Sequence, residues 1–157
     1  MNPDKILETC KACQATCCKM CGPDFSETEM KRVLAAGHPN FFNKINEHHH
    51  ELKTKDGLCP YLKEDHSCSI HELRPAMCRS WPIYPECSKD KKKYFQINCD
   101  LTPLLSEEEI EKLKKESESI PKELLVSSYN NSGLAEEEIK IGLKKFNKFK
   151  KKIIKNS

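Results

Sequence analysis

Glycine is scarce in this chain, with five in 157 residues, and none stands in an arrangement that could cradle a phosphate. A nucleotide-binding fold built on glycine-rich turns is therefore not expected. Long apolar runs are missing too. No stretch approaches the ~18 residues that a membrane-crossing helix needs, and the opening residues MNPDKILET are charged rather than apolar. Neither a membrane span nor a secretory signal is predicted, which points to a cytoplasmic protein with reduced thiols. Arginine is rare: 24 of the 27 basic residues are lysine, and the exceptions are Arg32, Arg74 and Arg79. The formal net charge of +3 argues only weakly about partners, and no nucleic acid is expected. Apolar residues make up 37% of the chain against 32% charged, so the core must be modest. A small body short of apolar area is commonly stapled by disulfides or metal.

What the chain has in excess is cysteine. Ten are present, five of them between Cys10 and Cys21, the others at Cys59, Cys68, Cys78, Cys87 and Cys99, and none follows Cys99. Where thiols stay reduced, this density argues for metal ligation over disulfides. The chain divides accordingly into a metal-binding body over residues 1–103 and a thiol-free helical extension over 104–157, expected to pack on the body. The expected fold class is small α+β, mostly helical, a metal-stapled cysteine-rich body with short strands.

Local signals place the elements. Ser26 and Glu29 have capping-box spacing and open a helix from about Glu27 to Ala36, stopped by Gly37. A second helix is predicted from Pro39 to Leu52, with Phe41, Phe42, Ile45 and Leu52 as its apolar positions. Leu58–Leu62 and Cys68–His71 read as short strands, Leu73–Ser80 as a helical turn, and Tyr94–Asn98 as an edge strand. Ser106 and Glu109 cap a charged helix to about Ser119, and Pro121 suits the first turn of another, to Tyr129. A final helix over Ala135–Ile154 sets Ile139, Leu143, Phe146, Phe149 and Ile153 at helical spacing, with lysines on its other face. Docking of that stripe on the body is its expected use, and the C-terminal helices also offer a surface to a protein partner.

Thiolates are soft ligands suited to zinc, iron–sulfur clusters or copper(I). Cys10 and Cys13 have the separation that lets two sulfurs approach one centre. Cys17 and Cys18 are adjacent, and side chains diverge from neighbouring α-carbons. The pair more naturally serves different metal atoms, in one polynuclear centre or in two sites. Four thiolates suffice for a zinc or a cubane cluster, so eight cysteines allow two such sites. That surplus favours an iron–sulfur centre, [4Fe-4S], with zinc as the alternative. Arg74 and Arg79 flank Cys78, where guanidinium groups can hydrogen-bond thiolates or sulfides and offset their charge. They are the candidate cofactor-binding residues, and a salt bridge to a carboxylate such as Glu72 or Glu86 is the competing use. His48, His49 and His50 point in three directions on the predicted helix and read as a solvated face. Trp81 reads as a lid over the metal loop.

The ordered set Cys10-x2-Cys13-x3-Cys17-Cys18, Gly57-Leu58-Cys59-Pro60-Tyr61-Leu62, Cys68-Ser69-Ile70-His71 and Arg74-Pro75-Ala76-Met77-Cys78-Arg79-Ser80-Trp81-Pro82 resembles the YkgJ-like cysteine-cluster family, described as zinc- or iron-chelating CxxCxxCC proteins. The flagellin lysine N-methylases belong to the same broad group. The resemblance implies Cys10, Cys13, Cys17, Cys18, Cys59, Cys68 and Cys78 as metal ligands. Either Cys87 or Cys99 is the eighth, and Cys99 is favoured because Asn98-Cys99-Asp100-Leu101 falls where many members place their last cysteine. Two departures stand out: three residues rather than two precede the vicinal pair, and Cys21 is an extra thiol. His71 stands where an aromatic is common and reads as solvated rather than ligating. Three functions follow. One is a carrier, sensor, assembly or accessory protein holding iron–sulfur. A second is a structural zinc module, and a third is a metalloenzyme related to protein lysine methylation.

Overall fold

The computed structural model describes residues 2–19, 22–88, 91–97, 99–130 and 150–154. Among them stand five α-helices and two antiparallel sheets, so the α+β class holds with less helix than expected. The helices are α1 (Pro3–Ala12), α2 (Glu27–Ala35), α3 (Ala76–Arg79), α4 (Glu107–Glu118) and α5 (Lys122–Asn130). Strands β1 (Phe42–Asn46) and β2 (His49–Leu52) pair as a hairpin; β3 (Ile83–Ser88), β4 (Lys91–Ile97) and β5 (Lys150–Ile154) form a sheet in that order.

Both predicted capping boxes form. The Ser26 N–H donates to Glu29 Oε2 at 2.9 Å, and the Ser106 N–H to Glu109 Oε2 at 2.8 Å, which satisfies amides that a helix start leaves open. Glu29 also accepts the Ala76 N–H at 2.8 Å, tying the start of α2 to α3. The predicted helix Pro39–Leu52 is instead the β1–β2 hairpin. Asn40 accepts the Phe42 N–H at 3.0 Å and Asn46 accepts the His48 N–H at 2.9 Å. These two local turns compete with helix at both ends of β1. His49 and His50 consequently lie buried in β2 rather than on a solvated helix face.

Other expectations also change. Tyr94–Asn98 is not an edge, because β4 lies between β3 and β5. The segments at Leu58–Leu62 and Cys68–His71 contribute only isolated bridges, Lys55 with Leu58 and Leu62 with Cys68. The last residues of the predicted final helix, Lys150–Ile154, are a strand, with Tyr94 opposite Ile154 and Phe95 opposite Ile153. Its remainder lies outside the described residues, as do Cys21 and Asn98.

Two apolar clusters carry the body. Phe25, Val33, Phe42, Leu52, Tyr61 and Ile70 form one, with Cys59 inside it and Cys18 and Cys68 against it. Met77, Cys87, Ile120, Leu124 and Leu125 belong to the other, where α5 meets α3 and β3. The thiol-bearing turns thus rest directly on the first cluster.

Candidate metal centre

Asn2 caps α1 by accepting the Asp4 N–H at 2.7 Å, and Pro3 fits its first turn. This helix was not predicted, although Asn2-Pro3 is the signal for it. Cys10 lies in its last turn, and Cys13 follows its end with the thiol donating to the Cys10 carbonyl at 3.3 Å. Gln14 and Ala15 then take left-handed backbone angles, φ 61° and 51°. Such angles cost a non-glycine residue roughly 1–2 kcal/mol. They are the first two of the three residues that here precede the vicinal pair. The Ala15 N–H donates to the Cys10 carbonyl at 2.8 Å, and Ala15 is 1% exposed, so the reversal is held from both sides. The chain comes back through a 3-10 turn, Thr16–Lys19, that presents Cys17 and Cys18.

The remaining thiols arrive from three loops. The Cys59 N–H donates to the Cys18 carbonyl at 2.8 Å. Gly22, at φ 73°, passes so close that a Cβ there would stand 3.3 Å from Leu52 and 3.7 Å from Cys59. Cys68 is set by its bridge to Leu62, and Cys78 sits in α3 after Pro75. Thr102 Oγ1 accepts the Cys99 N–H at 3.2 Å and lies 3.7 Å from Cys99 Sγ, fixing that thiol. None of the nine described cysteines is in a disulfide.

Electrostatic interaction runs through all of these thiols. Cys59, Cys68 and Cys78 each feel Cys18, Cys59 feels Cys68, and Cys78 feels both Cys59 and Cys68, so all four are mutually linked. Cys10 feels Cys13 and Cys99, and Cys17 feels Cys10. Cys10, Cys13, Cys17 and Cys99 line a cavity of about 30 Å³ together with Trp81. Cys18 acts on Cys10 more strongly than Cys99 does, and Cys78 acts on Cys17, so the interactions leave the thiols in one connected group. Cys18 is the common member, acting on Cys10, Cys17, Cys59, Cys68 and Cys78.

Burial dominates the protonation of most of these groups. It pushes Cys10 and Cys59 up to about 12 and Cys78 well above its ordinary value, with neighbouring thiols adding to each. The vicinal pair splits. Hydrogen bonding to Cys18 raises Cys17 well above the usual thiol range, with burial adding to it, and the same bond lowers Cys18. Arg74 and Lys19 lower Cys18 further against its burial. Cys18 is thus the readiest thiolate of the pair, and Cys17 holds the proton they share.

Arg74 lies beside this network, acting on Cys10, Cys18, Cys68 and Cys78, while its Nε donates to the His71 carbonyl at 2.9 Å. Arg79 is engaged elsewhere. Its Nε pairs with Glu116 at 2.8 Å, not with Glu72 or Glu86, and its Nη1 donates to the Arg74 carbonyl at 2.8 Å. It therefore bears on the site through the Arg74 backbone. Cys87 is fully buried in the second apolar cluster. His71 is half-buried rather than solvated, and its Nε2 is enclosed without a hydrogen-bond partner.

Thiol-only sets of four suit both zinc and cubane clusters. Among the described residues, one set of three His, Cys, Asp or Glu ligand atoms lies mutually within 4.8 Å, and it contains no thiol: Asp24, His49 and Glu51. That set went unseen in the sequence, because His49 was read on a solvated helix face rather than in a buried strand.

The family with the description CxxCxxCC, putative zinc- or iron-chelating domain, matches residues 9–100. No curated protein and no solved structure matches the chain.

Proposed function

Because the chain belongs to the CxxCxxCC family, we propose that it is a metal-binding protein holding an iron–sulfur centre. Cys10, Cys13, Cys17 and Cys99 form one ligand set; Cys18, Cys59, Cys68 and Cys78 form the other. What supports this reading is the gathering of eight thiols from distant parts of the chain, with Cys10, Cys13, Cys17 and Cys99 lining one cavity and Cys18, Cys59 and Cys68 together at the neighbouring apolar cluster. When bound, such a centre supplies one-electron chemistry. The chain's own residues hold and bias it. Arg74 offsets thiolate charge at the set containing Cys18, Arg79 and Glu116 brace the Arg74 backbone, and Trp81 covers the first set.

The role that fits is a carrier, sensor, assembly or accessory protein. The zinc module remains the second reading on one observation, the cavity of about 30 Å³, which suits a single ion. A metalloenzyme related to lysine methylation has only the family's relatives behind it. Protein made and purified without oxygen decides the metal. It should be brown, with broad visible absorption, iron and acid-labile sulfide. Colourless anaerobic protein with stoichiometric zinc and no sulfide would overturn the proposal in favour of zinc.

A further inference from the structure

A cavity of about 220 Å³ lies where α2, α3 and the turn from α4 into α5 meet, and it shares no residue with the thiol cavity. From the start of α2 it takes Ser26, Glu29 and Arg32, which stand three residues apart and so line one helix face. From α3 it takes Arg79. Met77, Ile120 and Leu124 in its lining are at most 9% exposed, so polar side chains present the surface that a ligand would meet. The chain draws 24 of its 27 basic residues from lysine, yet two of its three arginines line this one cavity.

A guanidinium carries five N–H donors. Arg79 spends Nε on Glu116 and Nη1 on the Arg74 carbonyl, both at 2.8 Å, and its other N–H groups have no acceptor among the described residues. Arg32 is exposed, and its guanidinium makes neither a hydrogen bond nor an ion pair among them. The carboxylate of the cavity, Glu29, pairs with neither arginine. Its Oε1 accepts the Ala76 N–H at 2.8 Å, and its Oε2 accepts the Ser26 N–H and hydroxyl at 2.9 and 3.0 Å. Three donors thus offset its charge, and the same bonds brace α2 against α3. At about 220 Å³ the cavity exceeds the ~150 Å³ that takes up benzene in an engineered core, so it has room for a head group with a short body rather than a bare ion. An ion pair that clamps the Arg74 backbone accounts for Arg79 alone, and for neither Arg32 nor the space between the helices.

We propose that this cavity binds a small organic oxyanion, a carboxylate or a phosphate monoester, held between Arg32 and Arg79. Planar guanidinium forks match both head groups, which compact ammonium groups do less well. The ligand takes the N–H groups that Glu116 and the Arg74 carbonyl leave over. The test uses the full chain as purified, with its thiol centre left loaded, and titration calorimetry with succinate and with glycerol 3-phosphate. At least one of them should bind at one site per chain, and the one that binds names the head group; uncharged glycerol should not bind. Arg32→Gln should weaken that binding about tenfold or more while leaving the metal content of the thiol centre unchanged. Arg32→Lys should recover only part of the loss. Lys31→Gln removes an equal charge one residue away, outside the lining, and should bind within about twofold of the natural chain. Should Arg32→Gln not fold, the natural chain still decides. The Nε–H resonances of Arg32 and Arg79 should shift together as the probe is added. No binding of either probe at millimolar concentration, equal binding by Arg32→Gln, an equal loss in Lys31→Gln, or shifts that spare either arginine would overturn the proposal.

Discussion

Stripping the metal and then raising the pH should expose how the thiols are held. Burial pushes Cys59 from 9.0 to about 12, against hydrogen bonds from the Tyr61 and Leu62 backbone. A group whose folded pKa lies above its unfolded value stabilises fully below the unfolded pKa and loses that contribution as pH climbs toward the folded one. For Cys59 the losing window is about 9 to 12, and between pH 8 and pH 10 the loss is about 1.4 kcal/mol. Cys10 is pushed equally far, by burial first and then by Cys13. It is more open, so its share is discounted to about 1 kcal/mol. Together they lower a urea midpoint by roughly 1 M, given a slope of about 1–3 kcal/mol per molar. Tyr61, Tyr84 and Tyr94 are raised by burial as well and pull the same way. They do so in both forms, and comparison with metal-loaded protein cancels them. In loaded protein the thiols carry no protons when folded but regain them on unfolding below pH ~9, so stability should rise toward that pH and then level. The loaded curve should rise and then level, while the metal-free curve stays level and then falls. Anaerobic urea unfolding at each pH, followed by the fluorescence of Trp81 beside the thiol cavity, measures both. Metal-free protein that holds or gains stability from pH 8 to pH 10 would refute the reasoning.

Cys17→Ser and Cys18→Ser should each lose about half of the bound metal, since each removes one ligand from a different four-thiolate set; metal analysis with absorption should show two unlike residual spectra, and full content with one spectrum would exclude a ligand role for the pair. Arg74→Gln removes the guanidinium that acts on Cys10, Cys18, Cys68 and Cys78, so voltammetry should show a more negative potential and chelators should strip metal faster. Arg79→Gln loses a half-exposed ion pair worth about 0.2–1 kcal/mol and should leave the absorption unchanged; equal electrochemical effects in both variants would contradict the assignment. Cys87→Ala should keep all metal and lower stability by about 1–2 kcal/mol through the void left beside Ile120 and Leu124, as thermal unfolding with metal analysis would show.

What the sequence disclosed, and what it hid, follows from the range of the interactions. The boxes at Ser26 and Ser106 were legible because donor and acceptor are three residues apart. That thiols from distant motifs gather was expected only through the family resemblance, and Cys10, Cys13, Cys17 and Cys99 line one cavity. The hairpin was misread because Phe41, Phe42, Ile45 and Leu52 imitate helical spacing, whereas the asparagine turns at Asn40 and Asn46 decide the matter. Arg79 was set against nearby carboxylates, but its partner Glu116 is 37 residues away. Nothing local announces that pairing. The strand at Lys150–Ile154 is likewise a tertiary outcome, because the same residues fit an amphipathic helix until β4 presents an open edge.

The vicinal cysteines carry a last consequence. Cys17 and Cys18 shift each other's protonation directly, and under the proposed assignment they serve different ligand sets. Cys18 raises Cys10 and Cys17 in one set and Cys59, Cys68 and Cys78 in the other. A cation placed in the set of Cys18 neutralises that shared source of repulsion and deprotonates Cys18 outright. The proton on Cys17 then loses its acceptor, and the thiols of the first set ionise more easily. Filling one set should therefore favour filling the other. Two interacting sites of this kind depart from independent occupancy by their coupling free energy, typically about 1–3 kcal/mol or roughly 5- to 150-fold in affinity. Native mass spectrometry of chains given half their full complement of metal measures the distribution directly. Half-loaded chains should be depleted relative to a binomial mixture, with empty and full chains in excess. Arg74→Gln should deepen the depletion, because the guanidinium that screens Cys18 is gone and more repulsion remains for the first cation to remove. A binomial distribution in the natural chain would mean that the two sets load independently, and that Cys18 does not link them.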